Sequence, residues 1–223
     1  MTDNLIIWDF DGVIADTEII WLKNRMNIIN ETFNLDWDLE TTNKFLGGMS
    51  DKTKDEVLKK LGIKTNPEFW EKNRNADKQS MMIGFELTEG IEDIFKMKEI
   101  NQCIATGGDT QKTINKIKTV NIEKYFPMEK VFTADMVQYG KPEPDIFLLA
   151  AKTMGYPPEK SIVIEDSITG LIAAIKAKMT PIAFIGSKLY NKESYVTSIK
   201  KLGVTHIFDN MKDIKNFIFN YKL

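Results

Sequence analysis

Cysteine is almost absent from this chain: Cys103 is the only one in 223 residues. A lone cysteine cannot close an internal disulfide, so a reducing compartment is the simpler expectation. Histidine is as scarce. The single His206 stands beside Ile207-Phe208, far from every motif discussed below, and reads as structural or surface. Charge of either sign is not in excess. With 30 basic against 32 acidic residues the formal net charge is −2, which gives no electrostatic footprint for nucleic acid or an anionic membrane. No apolar stretch is long enough to span a bilayer. The opening residues carry no basic run, and the apolar segment Leu5–Trp8 stops at Asp9, so no secretory signal is expected. Repeats and low-complexity tracts are lacking as well. Together these absences predict a cytoplasmic protein.

The composition that remains is that of a globular domain, 43% hydrophobic and 28% charged. The length allows one sizeable core, or a core with a smaller inserted module. Short apolar runs at Leu5–Trp8, 102–105, 130–132, 161–164 and 180–185 predict buried parallel strands. Amphipathic stripes lie between them. Residues 110–120 set Ile114, Ile117 and Val120 on one face, with Lys112, Lys116 and Lys118 elsewhere. Residues 144–154 and 167–177 carry similar stripes. Strand alternating with helix predicts an α/β fold, a doubly wound parallel sheet with right-handed crossovers. One block breaks the alternation: 18–33, 51–61 and 67–82 read as helix after helix, with no strand between. We expect an all-helical cap at 17–83 inserted into an α/β core made of 1–16 and 84–223.

In such a sheet, ligands bind beyond the carboxyl ends of the strands. The first strand ends on Asp9-Phe10-Asp11-Gly12 and the second on Thr106-Gly107-Gly108. A later loop holds Lys141-Pro142, and the fourth strand ends on Glu165-Asp166-Ser167. Each has a plainer reading as a turn, a helix cap or a solvated lysine. Their conjunction on one rim suits phosphoryl transfer. A phosphate ester and a carboxylate nucleophile repel each other, and a divalent cation relieves that repulsion. Magnesium prefers oxygen ligands, which Asp9, Asp166 and the backbone carbonyl of Asp11 can supply, with Glu165 direct or through water. Asp9 is then the nucleophile, forming an aspartyl-phosphate. Asp11 is placed to protonate the leaving oxygen and later to deprotonate water. Lys141 supplies positive charge, and Thr106 with the amide of Gly107 can hold a phosphate oxygen.

Four segments carry a resemblance to a known family: Asp9-Phe10-Asp11-Gly12-Val13-Ile14-Ala15-Asp16-Thr17-Glu18, Ala105-Thr106-Gly107, Gly140-Lys141-Pro142-Glu143-Pro144-Asp145, and Val163-Ile164-Glu165-Asp166-Ser167-Ile168-Thr169-Gly170. In order and nearly end to end, the chain resembles the haloacid dehalogenase superfamily, in particular its phosphatase-like members with a helical cap. The resemblance implies magnesium, an aspartyl-phosphate and a cap that closes over the substrate. It also makes Ser50 and Lys52, in the Gly47–Lys52 turn, and Glu18 candidates for substrate binding. The expected partner is a small phosphorylated metabolite, foremost a sugar phosphate, and the expected state a monomer or weak dimer. A phosphomutase is the nearest alternative; Trp21 stands near the place where mutases of this family carry a histidine. A non-catalytic phospho-ligand binding protein is the alternative of a different class, disfavoured by intact Asp9, Asp11, Lys141 and Asp166. Gly108, rather than a side chain able to bond substrate, follows Thr106-Gly107, so phosphate recognition leans on backbone amides.

Overall fold

The computed structural model describes residues 4–47, 51–186 and 192–221. The first strand, β1 (Leu5–Trp8), is followed after the helical block by β2 (Asn101–Thr106), β3 (Val131–Thr133), β4 (Ser161–Glu165), β5 (Thr180–Phe184) and β6 (His206–Phe208). All pairings are parallel and the spatial order is β3-β2-β1-β4-β5-β6. The order reverses direction at β1, so the crevice between the ends of β1 and β4 is the topological switch point. The first five strands lie where the apolar runs predict them, within a residue or two. The sixth, β6, is not among the predicted strands. It has only three residues, all half-buried, and so leaves no continuous apolar run. It is nonetheless tied in: Ile185 N donates to Phe208 O at 2.8 Å.

Every side chain of β1 is fully buried. Alternation sends Leu5 and Ile7 to one face and Ile6 and Trp8 to the other. On the first face they meet Cys103, Ala105 and Val163 of neighbouring strands, together with Ile146, Phe147 and Ala150 of a covering helix. On the other, Trp8 stands edge-on to Phe95 at 5.6 Å and donates its indole N–H to Gln102. Burying one such side chain contributes roughly 1.5–3 kcal/mol. That offsets roughly 1–2 kcal/mol of backbone entropy per ordered residue. This is why four residues suffice for the central strand.

The chain divides into two compact units, Met1–Asp16 with Glu86–Leu223, and Thr17–Phe85. The second unit holds α1 (Thr17–Phe33), α2 (Leu39–Leu46), α3 (Asp51–Lys60) and α4 (Pro67–Ile83). Its core is Ile28, Ile29, Leu46, Leu58 and Phe69, flanked by Phe33, Trp37 and Trp70. Asp38 caps α2 by accepting from Thr41 N, and Asn66 caps α4 ahead of Pro67 at its first position. A forked pair joins two of its helices: Arg25 donates to both carboxylate oxygens of Asp77 at 2.6 Å.

The first unit adds α5 (Ile91–Phe95), α6 (Thr110–Thr119), α7 (Asp145–Met154), α8 (Ile168–Lys176), α9 (Lys192–Lys201) and α10 (Met211–Asn220) around the sheet. Cys103 is buried in β2, and His206 packs against the rings of Phe217 and Tyr221. Phe219 is 67% exposed. It points away because α10 turns Met211, Ile214 and Ile218 inward.

Candidate active site

Parallel pairing brings the ends of β1 and β4 level. Trp8 is in register with Ile164, and Asp9 N continues the ladder by donating to Ile164 O at 3.0 Å. The next residues outward are Asp9 on one strand and Glu165-Asp166 on the other. All three are buried, and each offers a carboxylate oxygen within 4.8 Å of the others. Lys141 reaches in from the loop before α7, where its peptide bond to Pro142 is cis. Its ammonium lies 2.5 Å from Asp9 Oδ1, 2.6 Å from Glu165 Oε1 and 3.3 Å from Ala105 O. The Phe147 ring lies under it, 5.0 Å from Nζ to the centroid.

Two glycines make this crowding possible. Gly12 has φ +82°, and a Cβ there would lie 1.9 Å from Asp166 Oδ2. Gly170, in the first turn of α8, would place a Cβ 1.8 Å from Glu165 Oε1. Ser167 fixes Glu165 from the other side: its N–H and its hydroxyl both donate to Oε2 at 2.8 Å. The same hydroxyl caps α8 by accepting from Gly170 N at 3.0 Å. Tyr195 of α9 donates its hydroxyl to the Asp166 carbonyl.

Three carboxylates and one lysine leave the cluster short of positive charge. Burial pushes the Asp9 carboxyl up to about 7; Lys141 pulls against the rise, while Glu165 and Asp11 add to it. Burial, then Glu165 and Asp9, hold Asp166 well above the usual carboxylate range. Burial alone would lower Lys141, but Asp9 and Glu165 outweigh it and raise the ammonium above its ordinary value. Carboxylates that would rather be protonated at this density, with oxygen donors converging on one point, fit a hard divalent cation. Both oxygens of Glu165 already accept hydrogen bonds, which leaves Asp9 and Asp166 as the freer donors.

Thr106 ends β2 fully buried, and its hydroxyl accepts from Gly108 N at 3.3 Å. At Gly107 a Cβ would meet nothing within 4 Å, so packing does not require glycine there. Asp11 lies one turn beyond Asp9 and is half-exposed. Its carboxylate is held by a residue that the amphipathic stripe of 110–120 puts in the wrong place. Lys116 does not face away from the apolar side of α6. It is buried with Thr113 and Ile117, and its Nζ lies 2.6 and 2.5 Å from the two oxygens of Asp11. The sequence held one signal for this: Lys116 sits three residues after Thr113 and four before Val120, on the buried stripe itself. Of the expected substrate-binding residues, Ser50 lies outside the described residues, as do the side chains of Glu18 and Lys52.

The fold and this rim define an α/β hydrolase core with a carboxylate-lined site at the switch point. The chain belongs to the haloacid dehalogenase-like hydrolase family, whose model matches residues 6–184. It is 28% identical over 177 residues to a phosphorylated carbohydrates phosphatase of Thermotoga maritima, covering 77% of this chain and 80% of that one. To a (DL)-glycerol-3-phosphatase of Arabidopsis thaliana it is 31% identical over 185 residues, covering 78% and 76%. Its fold is also that of a haloacid dehalogenase-like protein from Agrobacterium tumefaciens, with a TM-score of 0.85 over 97% of both chains at 23% identity. Among the described residues, no helix is long and apolar enough to cross a membrane.

Proposed function

We propose that the chain is a magnesium-dependent phosphatase that hydrolyses a small phosphorylated metabolite, foremost a sugar phosphate, through a phosphoaspartate on Asp9. The observation that carries this is the buried Asp9 carboxylate, 2.5 Å from the Lys141 ammonium and converging with Glu165 and Asp166. The names of the relatives, a phosphorylated carbohydrates phosphatase and a glycerol-3-phosphatase, support the substrate class.

Asp9, Asp166 and the carbonyl of Asp11 would hold magnesium, with Glu165 direct or through water. When bound, the ion supplies the positive charge that lets a dianionic phosphate approach a carboxylate. Lys141 holds one oxygen of Asp9, leaving the other to attack phosphorus. The Asp9 oxygen–phosphorus bond forms as the bond from phosphorus to the leaving oxygen breaks. Asp11 gives its proton to that oxygen. In the second half, water attacks the phosphoaspartate, Asp11 takes its proton, and inorganic phosphate leaves Asp9 free. Thr106 and the Gly107 amide hold a non-bridging oxygen throughout. The helical unit, through Ser50, Lys52 and Glu18, selects the organic part. A lone buried cysteine supports a cytoplasmic setting.

The test is a phosphate-release screen over phosphorylated sugars, sugar acids, polyols and nucleotides, with and without magnesium. Turnover that persists in EDTA, or in Asp9→Asn, sinks the mechanism. Phosphate that moves between positions of one sugar without release makes the enzyme a mutase.

A further inference from the structure

A lysine at Lys116 is a costly choice for the fold. The side chain is 9% exposed. Ordering a buried lysine costs rotamer freedom, and removing an ammonium from water adds to that. A leucine at this position of α6 would lose less rotamer freedom and bury no charge. The lysine stem runs inward past the Phe10 ring, with Nζ 5.5 Å from its centroid. The ammonium then meets both oxygens of Asp11 at once. Asp11 itself is 31% exposed, so it is held from the protein side while its outer edge faces solvent. An ammonium shared by both oxygens restrains the carboxylate's plane as well as its position. A bond to one oxygen would leave the group free to rotate.

We infer that Lys116 is a positioning residue for Asp11: it fixes the carboxylate where it exchanges its proton with the leaving oxygen and then with water. The inference rests on the phosphatase reading. The plainer alternative is that the pair only anchors the loop after β1 to α6. The two differ in what they predict for different leaving groups. An alkoxide needs the proton from Asp11 as its bond to phosphorus breaks. A p-nitrophenolate leaves as a stable anion and needs none. kcat/KM reports the steps through leaving-group departure, before the phosphoaspartate is hydrolysed. A positioning role therefore lowers kcat/KM for alkyl esters more than for aryl esters. An anchoring role lowers both alike.

The experiment compares kcat/KM for glycerol 3-phosphate, or the best sugar phosphate from the screen, with that for p-nitrophenyl phosphate. Both are measured with magnesium in wild type and in Lys116→Met, which keeps an unbranched stem without the charge. General acid catalysis is worth about 10²–10⁴-fold, so misplacing the acid should lower the alkyl-to-aryl ratio by about tenfold or more. A ratio unchanged in Lys116→Met, with circular dichroism showing a folded protein, overturns the inference. If Lys116→Met does not fold, Lys116→Gln takes its place, and if no uncharged residue is tolerated the lysine is an anchor and the inference falls. Failure of the underlying reading looks different: wild type would then release no phosphate from either ester.

Discussion

A Cβ on Gly12 would sit 1.9 Å from Oδ2 and 2.5 Å from Cγ of Asp166, well inside van der Waals contact. Gly12 also holds φ +82°, a conformation that L side chains rarely adopt. Gly12→Ala therefore combines backbone strain with a direct clash. We expect it to lower stability by more than about 1 kcal/mol. Phosphate release should fall by about 10²-fold, the scale of losing one charged contact in a polar site. Thermal unfolding and a phosphate-release assay check the two effects separately.

Lys141 is the one cation between Asp9 and Glu165 among the described residues. Lys141→Met leaves two buried carboxylates facing each other without it. Breaking a buried pair in this way costs about 3–5 kcal/mol. Added magnesium should recover part of that stability, because it neutralises the same oxygens. Turnover should still fall by about 10²–10³-fold, since the cation is also needed at the transferring group. Unfolding curves with magnesium and with EDTA, alongside kcat, separate the two losses.

The pH dependence of magnesium binding follows from Asp9. Its carboxyl is raised from 3.8 to about 7 in the folded chain. Between those values the folded state binds the proton and the unfolded state does not. Stability from this group is thus present at low pH and lost as pH rises toward 7. Asp166 shifts in the same direction. The metal-free protein should therefore lose stability, on account of Asp9, as pH rises from about 4 to about 7. Magnesium needs the ionised forms, so its stabilising shift in Tm should be larger near pH ~8 than near pH ~5.5. A shift that is larger in acid would contradict the assignment of Asp9 and Asp166 as ligands.

In the helical unit, Arg25 is 7% exposed and its Nε has no hydrogen-bond partner. The fork to Asp77 is its main compensation, with one long bond from Nη1 to the Trp21 carbonyl at 3.4 Å. Arg25→Ala should destabilise this unit by about 3 kcal/mol, the low end for a buried pair because Asp77 retains some contact with water. Hydrogen exchange should show the loss in α1 and α4, with β1 and β4 still protected.

The sheet was legible where burial is complete. The residues of β1 and β4 are apolar on both faces, so the strands read as unbroken runs and their ends could be located to a residue. The carboxylates and Lys141 stood out for the same reason, each following a run or sitting in an expected loop. β6 was illegible because an edge strand buried on neither face leaves no such pattern. α2 has only Thr42 and Leu46 buried, too little for a stripe. Lys116 was misread because hydrophobicity marks a buried helical face only when burial is apolar. A lysine balanced by an aspartate 105 positions earlier leaves no trace in a local window. The support given by Tyr195 was missed likewise, since it reaches Asp166 from 29 positions further along the chain.

Lys141 lies 132 positions after Asp9, and β4 follows later still. During synthesis Asp9 therefore leaves the ribosome long before the residues that complete its cluster. Until β4 emerges and pairs with β1, Asp9 lacks the carboxylates of Glu165 and Asp166. A nascent or truncated chain ending before residue 161 would carry Asp9 without the other two carboxylates of the cluster. On the magnesium reading proposed above, affinity for the ion should arise only late in core assembly. Since loop closure over such distances slows folding, the ion should act on the final step and leave the early ones unchanged.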